Sequence, residues 1–404
     1  MRRSEGRILT SHTGRLFKPG SGWNGMGGSV PPVPAEQLQD AVTSMVRAQV
    51  DIGMDIVSNG QVAAEGSYNV YDVIEGFEAK PLELAEGESF LTPRVIRWLP
   101  RDMQRFPDFY ANMYERMGLM NRFRTRMCVT GPLRLKTLEP VKRDLQIFKH
   151  ALSETGATEG FFCVTAPAWT EEFLWNEYYR SDDEMVVALS EQMAPIYKAV
   201  VDAGVLLQID DPAISHDWEE VRRPRMNLEE YERFMMIRVE ALNAALDGIP
   251  EEAIRYHVCW GSWPGMHTED IPLKDIVKMI LKVKAQAYSI EAAKTTHLHE
   301  WKVWRDVAKL PEGKILMPGV VDHTTNVVEH PEVIADRIIT YAGVVGKENV
   351  IAGTDCGMRG HATANWEKYK NIVRGAELAS EQLWASEERR SCCSPYSSTS
   401  WESA

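Results

Sequence analysis

Eight short apolar runs, separated by amphipathic stretches, are the feature that most limits how this chain of 404 residues can fold. Each run is rich in aliphatic residues or phenylalanine and ends in polar residues, as strands buried on both faces do. Such strands alternating with helices predict a (β/α)8 barrel. A doubly wound open sheet is the alternative, because strand number alone does not exclude it. The runs are residues 6–12, 54–60, 161–167, 205–212, 254–261, 287–293, 314–322 and 349–357.

Helical periodicity between the runs supports this alternation. Residues 183–204 and 227–248 carry apolar side chains at three- to four-residue spacing. They end on Gly204 and Gly248, a residue type that suits the left-handed position after a helix. A third such stretch has Pro331 in its first turn, where a missing N–H costs nothing.

The interval between the second and third runs is much longer than the others. It spans about residues 62–160 and contains one more strand-like run, "RMCVTGPLRL" at 126–135. We interpret it as an insertion over one end of the barrel, with a small sheet and helices, rather than as an independent domain. Residues 1–388 then form a single barrel, and the Ser-rich residues 389–404 are predicted to be a disordered tail.

Charge and hydropathy restrict the partners and the compartment. The net charge is −13 and no basic stripe is present, which argues against nucleic acid or an anionic membrane as the partner. No window approaches 18 uninterrupted apolar residues, and the basic N-terminus lacks the apolar core of a signal peptide. We therefore predict a cytoplasmic protein. Its six cysteines are then free or metal-bound rather than paired.

Polar residues at the ends of the predicted strands indicate a metal site, because barrels place their chemistry at the C-terminal strand ends. His257 and Cys259 are two residues apart and can face the same side of their strand. Glu291 ends the next strand, and Cys356 ends the eighth, which closes the ring. Two sulfurs, one nitrogen and one oxygen suit tetrahedral zinc.

The ligand types also suggest what such a zinc does. Two thiolates and a carboxylate weaken its action as a Lewis acid on water, so a zinc hydrolase is the weaker hypothesis. A thiol-rich site suits the binding and deprotonation of one more thiol, which then stays nucleophilic at neutral pH. The residues therefore predict alkyl transfer to a substrate thiol.

Five motifs resemble the catalytic barrel of cobalamin-independent methionine synthase: "QIDDPAI", "HVC", "SIEAA", "PGVVD" and "GTDCG". The chain is more similar to the short, single-barrel relatives of that family, which include epoxyalkane:coenzyme M transferases. The resemblance runs from about Arg7 to Ser380. It implies a (β/α)8 barrel, one zinc ion, and methyl or alkyl transfer to a thiol, with methionine biosynthesis as the associated process. The zinc ligands it implies are His257, Cys259, Glu291 and Cys356.

In the expected substrate pocket, Arg15 and Gln61 differ from the family pattern, whereas Asp210 matches it. The resemblance implies a Gly-Ser after the first strand, where this chain has Gly14 followed by Arg15. Gln61 replaces a glutamate that receives the substrate ammonium, and Asp210 matches a family aspartate. One acidic group is thus neutral and a guanidinium is added, which favours an anionic thiol such as coenzyme M. The alternative is that Arg15 points to solvent.

The predicted catalytic residues also depart from the family. The resemblance implies Asp-x-His after the seventh strand, but here Asp322 is followed by His323, with Thr324 at the histidine position. On a strand His323 would face the other way, whereas on a loop it can still reach the site. This arrangement puts methyltetrahydrofolate in doubt as the donor, because its poor amine leaving group needs a proton.

Two further features are ambiguous. Trp169 is either a stacking platform for a flat donor or a packing residue. His297 and His299, in "HLHEW", are predicted to lie on a loop or helix surface.

Two functions of different classes follow. The first is a zinc-dependent enzyme acting on a small thiol, with methyltetrahydrofolate, a methyl-corrinoid or an epoxide as the alkyl donor. The second is a non-catalytic zinc barrel that stores metal or docks a corrinoid protein. The sequence leaves open whether the chain forms a homo-oligomer.

Overall fold

The described residues contain eleven strands, and eight of these correspond to the eight predicted runs. The computed structural model describes residues 1–18, 33–62, 70–82, 101–116, 125–219, 226–262 and 265–392. In chain order the strands are β1 (Leu9–Thr10), β2 (Ile56–Ser58), β3 (Ile74–Pro81), β4 (Thr125–Leu135), β5 (Glu159–Thr165), β6 (Leu174–Asn176), β7 (Leu206–Asp210), β8 (Ile254–Val258), β9 (Ala287–Ile290), β10 (Ile315–Pro318) and β11 (Ile351–Ala352). All but β3, β4 and β6 belong to the barrel.

The barrel strands are all parallel to their neighbours. Six of them pair in the order β10-β9-β8-β7-β5-β2, and β1 pairs with β11. A bridge between Leu316 and Val350 joins β10 to β11. No ladder joins β1 to β2 in the described ranges; instead Ser11 Oγ donates to the Ile56 carbonyl at 3.1 Å. These links close the ring and confirm the predicted barrel-like fold.

Side chains fill the barrel interior, so the barrel is a packed core and not a pore. Strands β7 and β8 are buried along their whole length. At the end of the barrel opposite the predicted site, apolar residues from different strands form one cluster: Leu9, Ile56, Phe161, Cys163, Leu206, Ala287, Ile315, Met317 and Ile351.

The three helices that the periodicity predicted are present, and residues at their ends explain where they begin and stop. Ser181 caps the sixth helix by accepting the N–H of Glu184 at 3.1 Å. Gly204 and Gly248 adopt positive φ just beyond two helices, as expected of glycine at these points. In order the helices are α1 (Leu38–Asp51), α2 (Arg101–Arg105), α3 (Pro107–Arg116), α4 (Glu139–Thr155), α5 (Pro167–Glu172), α6 (Asp182–Asp202), α7 (Ala213–His216), α8 (Leu228–Ala245), α9 (Leu273–Ile280), α10 (Trp301–Asp306), α11 (Pro331–Val345) and α12 (Ala362–Cys392).

A small three-stranded sheet accompanies the barrel, as expected for the insertion. Strands β3 and β4 pair antiparallel, and the predicted run at 126–135 lies in β4. The third strand, β6, comes after β5 and pairs parallel with β4, so the sheet is not confined to residues 62–160. Helix α4 packs against α1, as neighbouring helices around a barrel do.

The C-terminal boundary differs from the predicted one. Helix α12 continues to Cys392, so residues 389–392 are helical rather than part of a tail. Residues 393–404, the rest of the predicted tail, lie outside the described residues. None of the helices in the described part of the chain has the length and hydrophobicity needed to span a lipid bilayer.

Gly319 marks a close approach between two barrel segments. A Cβ at this position would meet the carboxylate of Asp355 and lie 2.7 Å from its Cα. We expect Gly319→Ala to lower the free energy of unfolding by about 2 kcal/mol, because overpacking forces the backbone apart. Gly343→Ala in α11 is the matched control, since no atom lies within 4 Å of its new Cβ. Urea unfolding measures both variants, and equal midpoints would contradict this account.

Candidate metal and substrate site

Three predicted metal ligands lie together at the C-terminal end of the barrel. His257 is in β8, Cys259 follows it, and Cys356 lies just after β11. Their ligand atoms all lie within 4.8 Å of one another, and the two sulfurs are 3.2 Å apart. His257 Nδ1 contacts Ser289 Oγ at 3.2 Å, which orients the ring. Ser262 Oγ donates to the Cys356 sulfur at 3.1 Å.

The two thiols have opposite proton affinities. The hydrogen bond from Cys259 lowers the pKa of Cys356 well below its ordinary value, and the neighbouring His257 lowers it further. The same hydrogen bond, together with burial, raises the pKa of Cys259 well above its ordinary value. Without a cation, the pair therefore favours one thiolate and one protonated thiol. A cation bound between the sulfurs would favour two thiolates.

Glu291 follows β9 and is buried beside this group. Its Oε2 accepts the backbone N–H of Trp260 at 2.8 Å, which ties it to the residue after Cys259. Its Oε1 lies 3.7 Å from Lys294 Nζ. The ligand atoms of Glu291, His323 and Asp355 form a second group within 4.8 Å.

Asp355 anchors the second group, although sequence reasoning passed over it. Its Oδ1 accepts the N–H groups of Ala292 and Ala293, both at 2.7 Å, and its Oδ2 accepts that of Lys294 at 2.8 Å. The carboxylate thus joins the segment after β9 to the segment that carries Cys356. Its oxygens are already hydrogen-bonded, so it serves the site as an anchor better than as a ligand.

His323 lies on the loop beyond β10 and reaches the site. Its side chain is fully buried, and neither ring nitrogen has a hydrogen-bond partner among the described residues. Burial lowers the pKa of His323, so the ring is neutral near pH 7. Asp322 points elsewhere: its Oδ1 accepts the N–H and the hydroxyl of Thr324, both at 2.7 Å.

Unpaired buried atoms show that these residues fit a metal ion. In the described structure His257 Nε2 and Glu291 Oε1 are buried and lack a hydrogen-bond partner. An unpaired buried polar atom costs about 1–3 kcal/mol, so a ligand that pairs with these atoms would stabilise the site. A cation bound by the two sulfurs could also pair with His257 Nε2, whereas Glu291 groups with His323 and Asp355 rather than with these three ligands.

The predicted substrate residues Asp210 and Gln61 both lie beside Cys163, and Asp210 is near enough to His257 to raise its pKa. Gln208, two residues before Asp210 on β7, donates from Nε2 to Asp210 Oδ1 at 2.6 Å and to the Thr13 carbonyl at 2.9 Å. A Cβ at Gly14 would lie 2.5 Å from Cys163 Sγ and 3.3 Å from Gln61 Nε2. Strand alternation from Asp210 could have indicated Gln208.

Of the other two predicted contacts, Arg15 borders the candidate site, whereas Trp169 packs among aromatic neighbours. Arg15 is half-buried rather than extended into solvent, and its guanidinium carbon lies 5.5 Å from the Phe17 ring centre. A Cβ at Gly357 would lie 2.9 Å from the Arg15 Cβ, so Arg15 borders the Cys356 loop. Trp169 is half-buried in α5 and packs edge-on against Phe173, with ring centres 4.8 Å apart.

The prediction that His297 lies on the surface is wrong. Its side chain is buried and stacks on Trp260, whereas His299 is exposed. The sequence neighbours of His297 in "HLHEW" include polar residues, which suggested an exposed position. Its burial depends on a carboxylate from a distant segment, Asp270, which local sequence does not reveal.

Solved structures share the fold. A B12-independent methionine synthase from Shewanella sp. W3-18-1, in complex with selenomethionine, superposes with a TM-score of 0.68 at 18% identity, covering 94% of this chain and 99% of that one. A putative vitamin-B12-independent methionine synthase from Listeria monocytogenes superposes with a TM-score of 0.60 at 16% identity, covering 92% and 98%.

Relatives with assigned activities are similar over most of the chain. Methionine synthase of Saccharolobus solfataricus is 25% identical over 352 residues, which is 86% of each protein. The 2-hydroxypropyl-CoM lyase of Xanthobacter autotrophicus is 22% identical over 364 residues, which is 80% of each. The model of the family described as "Cobalamin-independent synthase, Catalytic domain" matches residues 173–380, just over half of the chain, including all four predicted metal ligands. This chain therefore belongs to the cobalamin-independent synthase catalytic-domain family.

Proposed function

We propose that this protein is a zinc-dependent enzyme that transfers a methyl or other alkyl group to the sulfur of a small thiol. The observation that carries the proposal is the pair of sulfurs 3.2 Å apart beside the unpaired His257 Nε2 at the mouth of the barrel. The family and the names of the relatives agree with it: methionine synthase and 2-hydroxypropyl-CoM lyase are both named for chemistry at a thiol.

The ligand set favours zinc among the common metals. His257, Cys259 and Cys356 would hold the ion, and Glu291 would be the fourth ligand through Oε1, which accepts no hydrogen bond but lies 3.7 Å from Lys294 Nζ. Soft thiolates with one imidazole select zinc over magnesium, calcium or manganese. When bound, zinc would lower the pKa of a substrate thiol and keep the thiolate nucleophilic. A substrate sulfur would take the place of Glu291 on the ion, because Lys294 can then pair with the released carboxylate.

The remaining residues would orient the thiol substrate. Asp210, held by Gln208, can receive an ammonium group such as that of homocysteine. Gln61 is neutral, and the half-buried Arg15 adds a positive charge near the Cys356 loop. These two residues favour a second candidate substrate class, an anionic thiol such as coenzyme M.

The donor side offers a neutral imidazole and an aromatic ring. His323 is buried in the site and neutral, so it would first accept the proton that the substrate thiol loses and could then pass it to a leaving group. Asp322 orders the loop through Thr324. Trp169 can stack on a flat donor. Methyltetrahydrofolate, a methyl-corrinoid carried by a partner protein, and an epoxide are the donors to compare.

Zinc K-edge X-ray absorption of the zinc-loaded protein tests the proposal. We expect homocysteine or coenzyme M to add one sulfur to the first shell in place of an oxygen ligand, because the thiolate displaces Glu291. The larger change identifies the substrate class. Homoserine and 2-hydroxyethanesulfonate, which carry a hydroxyl instead of the thiol, are matched controls and should leave the shell unchanged.

A first shell that neither thiol alters would contradict the proposal. The non-catalytic function, metal storage or docking of a corrinoid protein, would then be favoured. That function predicts zinc binding without thiol-dependent consumption of any of the three donors.

A further inference from the structure

His297 is a buried imidazole that the proposed chemistry does not use. Its side chain is only 3% exposed. Its Nδ1 lies 2.9 Å from Glu300 Oε2, and its Nε2 lies 3.0 Å from Asp270 Oδ2. Burial alone would lower its pKa, but the hydrogen bonds to Asp270 and Glu300 raise it to about 10. With a carboxylate at each nitrogen, the ring is an imidazolium with both protons in place.

The flat face of this imidazolium lies against Trp260. The two ring centres are 4.1 Å apart and the planes are inclined by 26°. A cation against an indole face is attracted by the ring quadrupole, most strongly when the pair is removed from water. The contact is therefore attractive, and it fixes the plane of the indole.

Trp260 in turn connects to two of the proposed metal ligands. It is the residue after Cys259, and its backbone N–H donates to Glu291 Oε2 at 2.8 Å. Its indole Nε1–H donates to the Ile271 carbonyl at 2.7 Å. Contacts that fix Trp260 therefore also restrain the peptide after Cys259, whose N–H orients Glu291.

The carboxylates beside His297 hold the far end of the same segment. Asp270 also pairs with His267 Nδ1 at 3.0 Å, and Glu300 Oε1 accepts the N–H of Leu273 at 2.7 Å. Residues on both sides, Trp260 on one and Asp270 and Leu273 on the other, are consequently attached to His297 directly or through Glu300. This arrangement resists displacement of Cys259 better than a single contact would.

We propose that His297 is a positioning residue for the metal centre: through Trp260 it holds Cys259 and directs Glu291 Oε1 towards the metal ion. The inference rests on the proposed function, because it requires that Cys259 and Glu291 bind the metal. It assigns a role in metal affinity to a side chain that does not touch the metal.

His297→Phe tests this inference, because phenylalanine keeps a ring against Trp260 but loses the charge and both carboxylate contacts. We expect zinc affinity, measured by competition with a chromophoric chelator, to fall about 10- to 100-fold, as is usual when a residue that orients a ligand is removed. The absorption of the cobalt-substituted protein should also change, since it reports the geometry of the thiolate ligands. His299→Ala, an exposed histidine two residues away, is the matched control and should change neither property.

The outcomes separate this inference from the proposed function. Failure of the unaltered protein to bind zinc would overturn the proposed function itself. Suppose that the His297→Phe variant unfolds in a cooperative thermal transition and has the zinc affinity and cobalt spectrum of the unaltered protein. That result would overturn only the role of His297. If that variant does not fold, Glu300→Gln replaces it, because it keeps the shape and removes one charge; unaltered affinity and spectrum there would equally overturn the inference.

Discussion

Replacing Cys356 by serine is expected to abolish tight zinc binding and, with it, alkyl transfer. A serine hydroxyl stays protonated near neutral pH, so the site loses one thiolate and the hydrogen bond that Cys259 donates to it. Removal of a residue that only orients a ligand weakens metal binding by about 10- to 100-fold, so loss of a ligand should weaken it by more than about 100-fold. Chelator competition and zinc content after dialysis measure the effect.

Cys128→Ser is the matched control for this variant. Cys128 is also buried, but it lies in β4 of the small sheet, away from the barrel mouth. Its replacement should leave zinc content and affinity unchanged, even if it costs some stability. Stoichiometric, tightly held zinc in Cys356→Ser would contradict the proposed metal site, because the remaining ligands should not retain the ion through dialysis.

Replacing Asp355 by asparagine should produce the largest loss of stability among the variants considered. The aspartate oxygens accept three backbone N–H groups, and asparagine would turn an NH₂ group towards at least one of them. An unpaired buried donor costs about 1–3 kcal/mol, and both the backbone N–H and the amide NH₂ turned towards it would be unpaired. We therefore expect the free energy of unfolding to fall by about 4 kcal/mol.

Urea unfolding of the metal-free protein isolates this effect from metal binding. Asp306→Asn, at an exposed position paired with Arg305, is the control and should leave the unfolding midpoint nearly unchanged. A midpoint for Asp355→Asn that matches the control would show that these three contacts do not anchor the segment after β9.

The barrel and the strand-end residues were predictable from the sequence because they depend on short-range periodicity. Each apolar run became a parallel strand, and two-residue alternation placed His257 and Cys259 on one side of β8. The geometry then brought Cys356, about a hundred positions later in the chain, within 3.2 Å of Cys259. The family prediction is confirmed as well, whereas the roles of the individual site residues remain proposals.

Residues beyond the ends of strands were less predictable. Strand alternation would turn His323 away from the site, but β10 ends at Pro318 and the following loop brings the ring in. Strand β6 was not predicted because three residues are too few to show the alternation typical of a strand. It forms by pairing with the edge of β4 that β3 leaves open. His297 was assigned to the surface because its neighbours in sequence are polar.

The sequence by itself determined the alternation of strands and helices, the C-terminal strand ends as the place of chemistry, and the ligand types available there. Only the tertiary structure decided which buried groups compensate one another: Asp355 with the backbone after β9, and His297 with Asp270, Glu300 and Trp260. The physical reason is that periodicity acts over a few residues, whereas charge compensation in a buried site depends on distances through space.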